Sequence, residues 1–212
     1  MSADIIQGSP EWFAIRLGKV TASRAHDVIT KTKTGYGASR ANYMAELIAE
    51  RLTNTQAERF TSVPMLWGKD NEEAARQRYE FDNDAEVETV GFMPHSAITM
   101  SGASPDGLVG NVGMVEIKCP NTATHIDTLI SGTIPVKYQT QMLWQMACAP
   151  GRRWCDFVSF DPRMPGRFAK FQRRFDRDDA RIAEIEAEVI AFLKDLDDKI
   201  AALESALLRE AA

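Results

Sequence analysis

Residues 104–120 read SPDGLVGNVGMVEIKCP, and the reading of this stretch decides the fold. Asp106 sits between Pro105 and Gly107 in a turn, and Glu116-Ile117-Lys118 follows ten residues later inside an apolar, strand-like run. Side chains alternate faces along a strand, so Glu116 and Lys118 share one face while Ile117 points into the core. A hairpin turning through Gly110 and Gly113 would set Asp106 beside Glu116. Two carboxylates and a lysine on one face can hold a hard divalent cation near an attacking water, which is what phosphodiester cleavage requires. A buried salt bridge is the competing reading, because charges set among Val115, Ile117 and Cys119 need either a partner or a metal.

Towards the N-terminus, Ser9-Pro10-Glu11 predicts a helix start: a capping serine, proline at the first helical position and an acid in the first turn. Trp12, Phe13, Ile15, Arg16 and Leu17 follow until Gly18, and Thr21 is the expected cap of a second helix over 22–30. Trp12 reads as a core anchor at least as readily as a binding residue. Residues 31–39, KTKTGYGAS, read as a mobile basic loop, either touching DNA or merely connecting elements; the Gly-Lys-Ser/Thr ending of a P-loop is absent. Tyr43, Met44, Leu47, Ile48 and Leu52 recur at helical spacing and predict a core helix over 38–52. A polar loop over 53–62 then leads to a long helix over 63–81 with Glu72 and Glu73 in its middle, Glu73 reading as a solvated charge.

Short strands at 85–93 and 98–101 are expected before the hairpin. Beyond it, helices over 121–131 and 136–147 precede strands over 154–160 and 168–175. Strands mixed with helices predict a single α/β domain with a mixed sheet, spanning 1–176. Residues 177–212 form an acidic amphipathic helix in which Ile182, Ile185, Val189, Phe192, Leu196, Ile200, Leu203 and Leu207 step by three or four. That stripe is expected to pack on the same domain, with a heptad-like subunit or partner contact as the alternative.

The chain has 212 residues, 44% of them hydrophobic and 26% charged, enough for one well-buried core. No apolar run approaches the ~20 residues of a membrane span, and the N-terminus lacks a signal-peptide pattern. Cys119, Cys148 and Cys155 have neither metal-site spacing nor an even count, so a reducing cytoplasm is the expected setting. The net charge of −5 is uneven: residues 178–212 hold 10 acids and 4 bases, the rest 20 acids and 21 bases. Contact with nucleic acid must therefore rest on local patches in the body, with the acidic tail pointing elsewhere.

The pattern Pro105-Asp106…Glu116-Ile117-Lys118 resembles the PD-(D/E)xK superfamily of metal-dependent nucleases. The segments EWFAIRLGKVTASRAHDVI, LWGKDNEEAARQRYEF, YQTQMLWQM and FDPRM narrow the resemblance to the phage lambda exonuclease group of viral recombination nucleases, over residues 7–165. The resemblance implies a restriction-endonuclease-like core, a central mixed sheet flanked by helices. It implies that Asp106 and Glu116, the backbone carbonyl of Ile117 and, near a second position, Glu72 bind one or two Mg2+ ions, with Mn2+ as an alternative. Lys118 would orient the water, and Gln141 would hold the catalytic group. The group often carries a second glutamine two residues after the first, where this chain has Leu143.

Arg16, Ser23 and Ser104 match a pocket for a 5′-phosphate. The implied activity is 5′-to-3′ digestion of one strand of linear duplex DNA. Further implications are a homotrimeric ring around the duplex, a single-strand annealing protein as partner, and a phage or prophage origin in a bacterial cytoplasm. Two rivals remain: an endonuclease sharing the metal site, and a non-catalytic DNA-binding protein, which the intact Asp106, Glu116 and Lys118 disfavour. The cluster Arg152, Arg153, Arg163, Arg167, Lys170, Arg173 and Arg174 reads as solvated surface, a share of which could follow a duplex or lie in an interface.

Overall fold

The structure, a computed structural model, describes residues 5–56 and 63–210, so the polar loop expected over 53–62 lies mostly outside the described residues. The elements in chain order begin with α1 (Pro10–Arg16), β1 (Val20–Thr21), a 3-10 turn (Ala22–Arg24), α2 (Ala25–Ile29), β2 (Lys31–Thr32), β3 (Gly35–Tyr36), α3 (Ala38–Thr53) and α4 (Val63–Asn83). The short strands β4 (Val87–Glu88), β5 (Met93–Pro94) and β6 (Ser101–Ala103) lead to the hairpin β7 (Gly107–Val109) and β8 (Gly113–Lys118). Helices α5 (Thr122–Ser131) and α6 (Val136–Cys148), strands β9 (Trp154–Phe160) and β10 (Lys170–Asp176), and α7 (Asp179–Glu210) complete the chain.

The main sheet has the order β10-β9-β8-β7-β4, with β8 and β9 parallel and the other pairs antiparallel. A parallel pair needs a long crossover, and α5 and α6 supply it between β8 and β9. Alternation along β8 divides the core. Met114 joins Cys155, Phe157 and the buried faces of α2, α3, α6 and α7. Val115 and Ile117 instead pack with Val158, Phe160 and Ala75 and Tyr79 of α4. A second sheet, β1-β6-β5, pairs β1 with β6 in parallel, Val20 facing Ser101 and Thr21 facing Gly102.

Local chemistry explains several boundaries. Ser9 caps α1, its Oγ accepting from the Trp12 amide at 3.2 Å. Gly18, at φ +66°, takes the left-handed conformation that closes the helix. Thr21, by contrast, makes no capping bond; its hydroxyl lies 3.5 Å from that of Ser23, and residues 22–24 wind as a 3-10 turn before α2. The stretch expected as a loop over 31–39 contains a two-residue hairpin, β2 and β3. It is fastened to α7 where Lys31 Nζ and the Tyr36 hydroxyl each reach Glu188 at 2.6 Å.

Helix α7 buries Ile182, Ile185, Val189, Phe192, Leu193 and Leu196, but the same stripe emerges into solvent at Leu203 and Leu207. Leu52, read with the core of α3, is exposed as well. Among the described residues no helix is long and apolar enough to cross a membrane.

Candidate active site

The β7–β8 register sets Gly107 opposite Val115, which brings Asp106 level with Glu116. The Asp106 carboxylate is tied to the next strand by accepting from the Ile117 amide at 2.6 Å. The hairpin is closed by Gly110 at φ +52°, and Arg152 donates to the carbonyls of Gly110 and Gly113 at 2.6 and 3.0 Å. Glu116 is fully buried, and Lys118, 28% exposed at its side chain, forms an ion pair with it. Burial works against the Lys118 charge, but the carboxylates of Glu116 and Asp106 outweigh it and hold the ammonium above its ordinary range.

Burial and then the neighbouring Glu116 hold the Asp106 carboxyl well above the usual carboxylate range, against the pull of Lys118. Glu72, half-buried on α4, is raised by burial and by Glu116, Lys118 again opposing. The three acids and the lysine therefore sense one another across one site. Glu72 and Asp106 also line a cleft of about 420 Å³ with Gln7, Arg76 and Val90. Glu73, the neighbouring acid, is exposed and pairs with Arg76.

Both oxygens of Glu116 are held from α6. Gln141 donates to Oε1 and Gln145 to Oε2, each at 2.5 Å. Leu143, between them, is buried in the main core. Gln145 is visible on the helix expected over 136–147 but carries no role in the sequence reading; its signal is the four-residue step from Gln141, which puts both on one helix face. Its own Oε1 is buried and has no hydrogen-bond partner among the described residues, an arrangement costing on the order of 1–3 kcal/mol.

The second group of residues gathers two positions before Asp106. Ser104 Oγ accepts from Arg16 Nη1 at 3.0 Å and from Trp12 Nε1 at 2.9 Å, and the Arg16 guanidinium lies 3.8 Å from the centre of a Trp12 ring. Trp12 thus stands beside Arg16 and Ser104 rather than inside the core, since α1 contributes no buried residue. The turn between α1 and β1 is clamped by α3: Glu50 accepts from the Gly18 amide and Arg51 donates to the Gly18 carbonyl, both at 2.9 Å. The parallel pairing of β1 with β6 carries the turn holding Ser23 alongside the end of β6. Ser23 itself is exposed, and its hydroxyl approaches Thr21.

Part of the basic cluster is committed to the fold. Arg174 makes two bonds, at 2.9 and 3.0 Å, to buried Asp156, and Arg163 does the same to buried Asp161 at 2.7 and 2.9 Å. Arg152 closes the hairpin turn as above, and Lys170 pairs with Asp82 at 2.5 Å.

Among the described residues no three His, Cys, Asp or Glu side chains form a ready-made metal cage. The donors available are the carboxylates of Asp106 and Glu116, the Ile117 carbonyl and, across the cleft, Glu72. All are oxygen, three carboxylates and one carbonyl, enough for one or two ions. Such a set fits Mg2+, which keeps several waters and takes only one or two carboxylates from the protein. Cys119 adds no thiolate, because burial and then Glu72 and Asp106 push its thiol up to about 12.

A family model for the YqaJ-like viral recombinase domain matches residues 11–151. No curated protein matches the chain. The fold is similar to an alkaline exonuclease, LHK-Exo, from Laribacter hongkongensis, with a TM-score of 0.88 at 51% identity over 95% of this chain and 99% of that one. The same exonuclease in complex with dAMP gives 0.89 at the same identity and coverage. A phage-related exonuclease from Haemophilus somnus 129PT shares the fold at 16% identity, with a TM-score of 0.69 over 87% of this chain and 96% of that one. The mixed sheet flanked by helices is accordingly the PD-(D/E)xK core, and the chain belongs to the YqaJ-like viral recombinase family, the lambda exonuclease group.

Proposed function

We propose that the protein is a Mg2+-dependent exonuclease that digests one strand of linear double-stranded DNA in the 5′-to-3′ direction from 5′-phosphorylated ends. Its products would be 5′-mononucleotides and a 3′ single-stranded overhang for recombination by strand annealing. The observation that carries this reading is the bond from Arg16 to Ser104 at 3.0 Å, two residues before Asp106. It joins a cationic pocket suited to a terminal phosphate to the carboxylate–lysine set. The similarity to exonucleases, one of them holding a deoxynucleoside monophosphate, supports the same reading.

Asp106, Glu116, the Ile117 carbonyl and Glu72 would hold one or two Mg2+ ions, with Mn2+ able to replace them. When bound, the metal supplies positive charge to the scissile phosphate and polarises a water. Lys118 orients that water and offsets the charge that builds on the phosphate. Gln141 keeps Glu116 in place. Arg16 offers a planar fork to the terminal phosphate, and the hydroxyls of Ser104 and Ser23 complete its hydrogen bonds. A homotrimeric ring around the duplex, a single-strand annealing partner and a bacterial cytoplasm as the place of action belong to this reading through the family.

The decisive experiment is digestion of end-labelled linear duplex with Mg2+ by the wild type and by Lys118→Ala. Release of labelled mononucleotide should fall by about 100-fold or more in the variant; undiminished digestion would overturn the assignment. Covalently closed circles should survive the wild type, and their cleavage would favour an endonuclease built on the same metal site.

A further inference from the structure

We propose that Gln145 is a positioning residue that fixes the plane of the Glu116 carboxylate. This rests on the reading of Glu116 as a metal ligand. Gln145 is fully buried on α6, between the core side chains Trp144 and Met146. Its Nε2 donates to Glu116 Oε2 at 2.5 Å, while its Oε1 has no partner among the described residues. The carboxylate alone therefore decides which way this amide faces.

A buried glutamine kept for stability alone would be satisfied at both ends. Here the amide instead carries an orphaned carbonyl in order to hold one oxygen of one acid. Gln141 grips the other oxygen from one helical turn earlier. With a single amide, the carboxylate could pivot about the oxygen that is held. With two amides on a packed helix its plane is fixed, beside the ammonium of Lys118 that pairs with it. Residues that orient a ligand in this way set metal affinity as well as rate.

The test uses the full chain carrying Gln145→Met, which keeps length and shape but removes the amide. Three quantities are read: the melting temperature without metal, the Mn2+ dissociation constant by spin-resonance titration, and kcat and KM on 5′-phosphorylated duplex. The melting temperature should change little, because loss of the bond to buried Glu116 Oε2 is offset by removal of the orphaned carbonyl. The Mn2+ dissociation constant should rise and kcat should fall, each about 10- to 100-fold, with KM for DNA ends unchanged.

A folded Q145M protein with Mn2+ affinity and kcat within about twofold of the wild type would overturn the inference; so would losses that merely track a lower melting temperature. If Q145M does not fold, Gln145→Asn decides in the same way, since its amide falls one methylene short of Oε2. Glu116→Gln is run alongside. Wild-type Mn2+ affinity and digestion in E116Q would refute the metal-site reading itself, whereas an impaired E116Q beside a wild-type-like Q145M would refute only the role of Gln145.

Discussion

Arg16 donates to Ser104 from the last turn of a seven-residue helix that buries nothing, so its position depends on the clamp that Glu50 and Arg51 place on Gly18. A charged hydrogen bond of this kind contributes about 1.5–3 kcal/mol. Arg16→Ala should therefore cut kcat/KM on 5′-phosphorylated ends by about 10- to 100-fold and leave 5′-hydroxyl ends almost untouched. Arg16→Lys should recover only part, since lysine lacks the fork. Competition between the two end types measures this directly, and a preference that survived in the alanine variant would place the phosphate elsewhere. The acids make a second prediction. Burial, and then Glu116, raise Asp106, and Glu72 is raised as well. Between the unfolded and folded values the native state holds protons that the unfolded chain has released, so stability falls as pH rises through that window. In chelator, the melting temperature should decline as pH rises above about 4, and Asp106→Asn should flatten the decline. Equal slopes for both proteins would contradict the shift. Asp106, Glu116 and Lys118 were legible because alternation on one strand states which side chains meet. Gln145 was not, because its meaning depends on a helix and a strand that lie 29 residues apart in the chain.

Elements show where periodicity informs and where it fails. Strand β9 runs seven residues with an apolar pattern, and its limits follow from the sequence. Strands β1 to β5 have two residues each, too few for any period, and are set by the partners they meet. The apparent cap at Thr21 fails because its hydroxyl turns to Ser23. One consequence of close strand approach can be tested at Gly107. A methyl there would meet Val87 Cγ1 at 2.1 Å, so Gly107→Ala should push β4 off β7 and cost about 1–3 kcal/mol in urea unfolding. A midpoint unchanged from the wild type would show that β4 yields freely. Asp161 gives a prediction of opposite pH sign to that of Asp106. Burial opposes its charge, but bonds from Arg163 and Thr122 prevail and hold its carboxyl down to about 2. That stability is present above about pH 4 and is lost as pH falls through about 2. Because Arg163 is half-exposed, the contribution is on the order of 1 kcal/mol. Asp161→Asn should narrow the gap between neutral and acid stability by that amount, while also loosening the tie between the end of β9 and the start of α5.

Across the whole molecule, α7 combines two roles in one stripe. Six of its apolar side chains lie in the main core, and each contributes about 1.5–3 kcal/mol on burial. Together they rival the total stability of a domain this size. Truncation after residue 176 should thus leave a protein that does not fold, whereas truncation after residue 200 should leave the melting temperature nearly unchanged, as residues 201–209 are exposed. Circular dichroism of both truncations separates the two cases. The sequence pattern alone could not draw that line, because the spacing of Leu203 and Leu207 continues that of Leu196 although nothing among the described residues covers them. The same limit applies to charge: the basic cluster reads as one patch, yet Arg152, Arg163, Lys170 and Arg174 are spent on carbonyls and carboxylates of the fold.

The short link from Ser104 to Asp106 fixes a distance. Two residues of chain span at most about 7 Å, and both ends are anchored, Ser104 by Arg16 and Trp12, Asp106 by the Ile117 amide. If a strand terminus is gripped at one anchor and cut at the other, the step between them is a ruler too short for more than one nucleotide. The product should then be uniform in length from the first turnover, with no dinucleotides at early times, however long the duplex behind it.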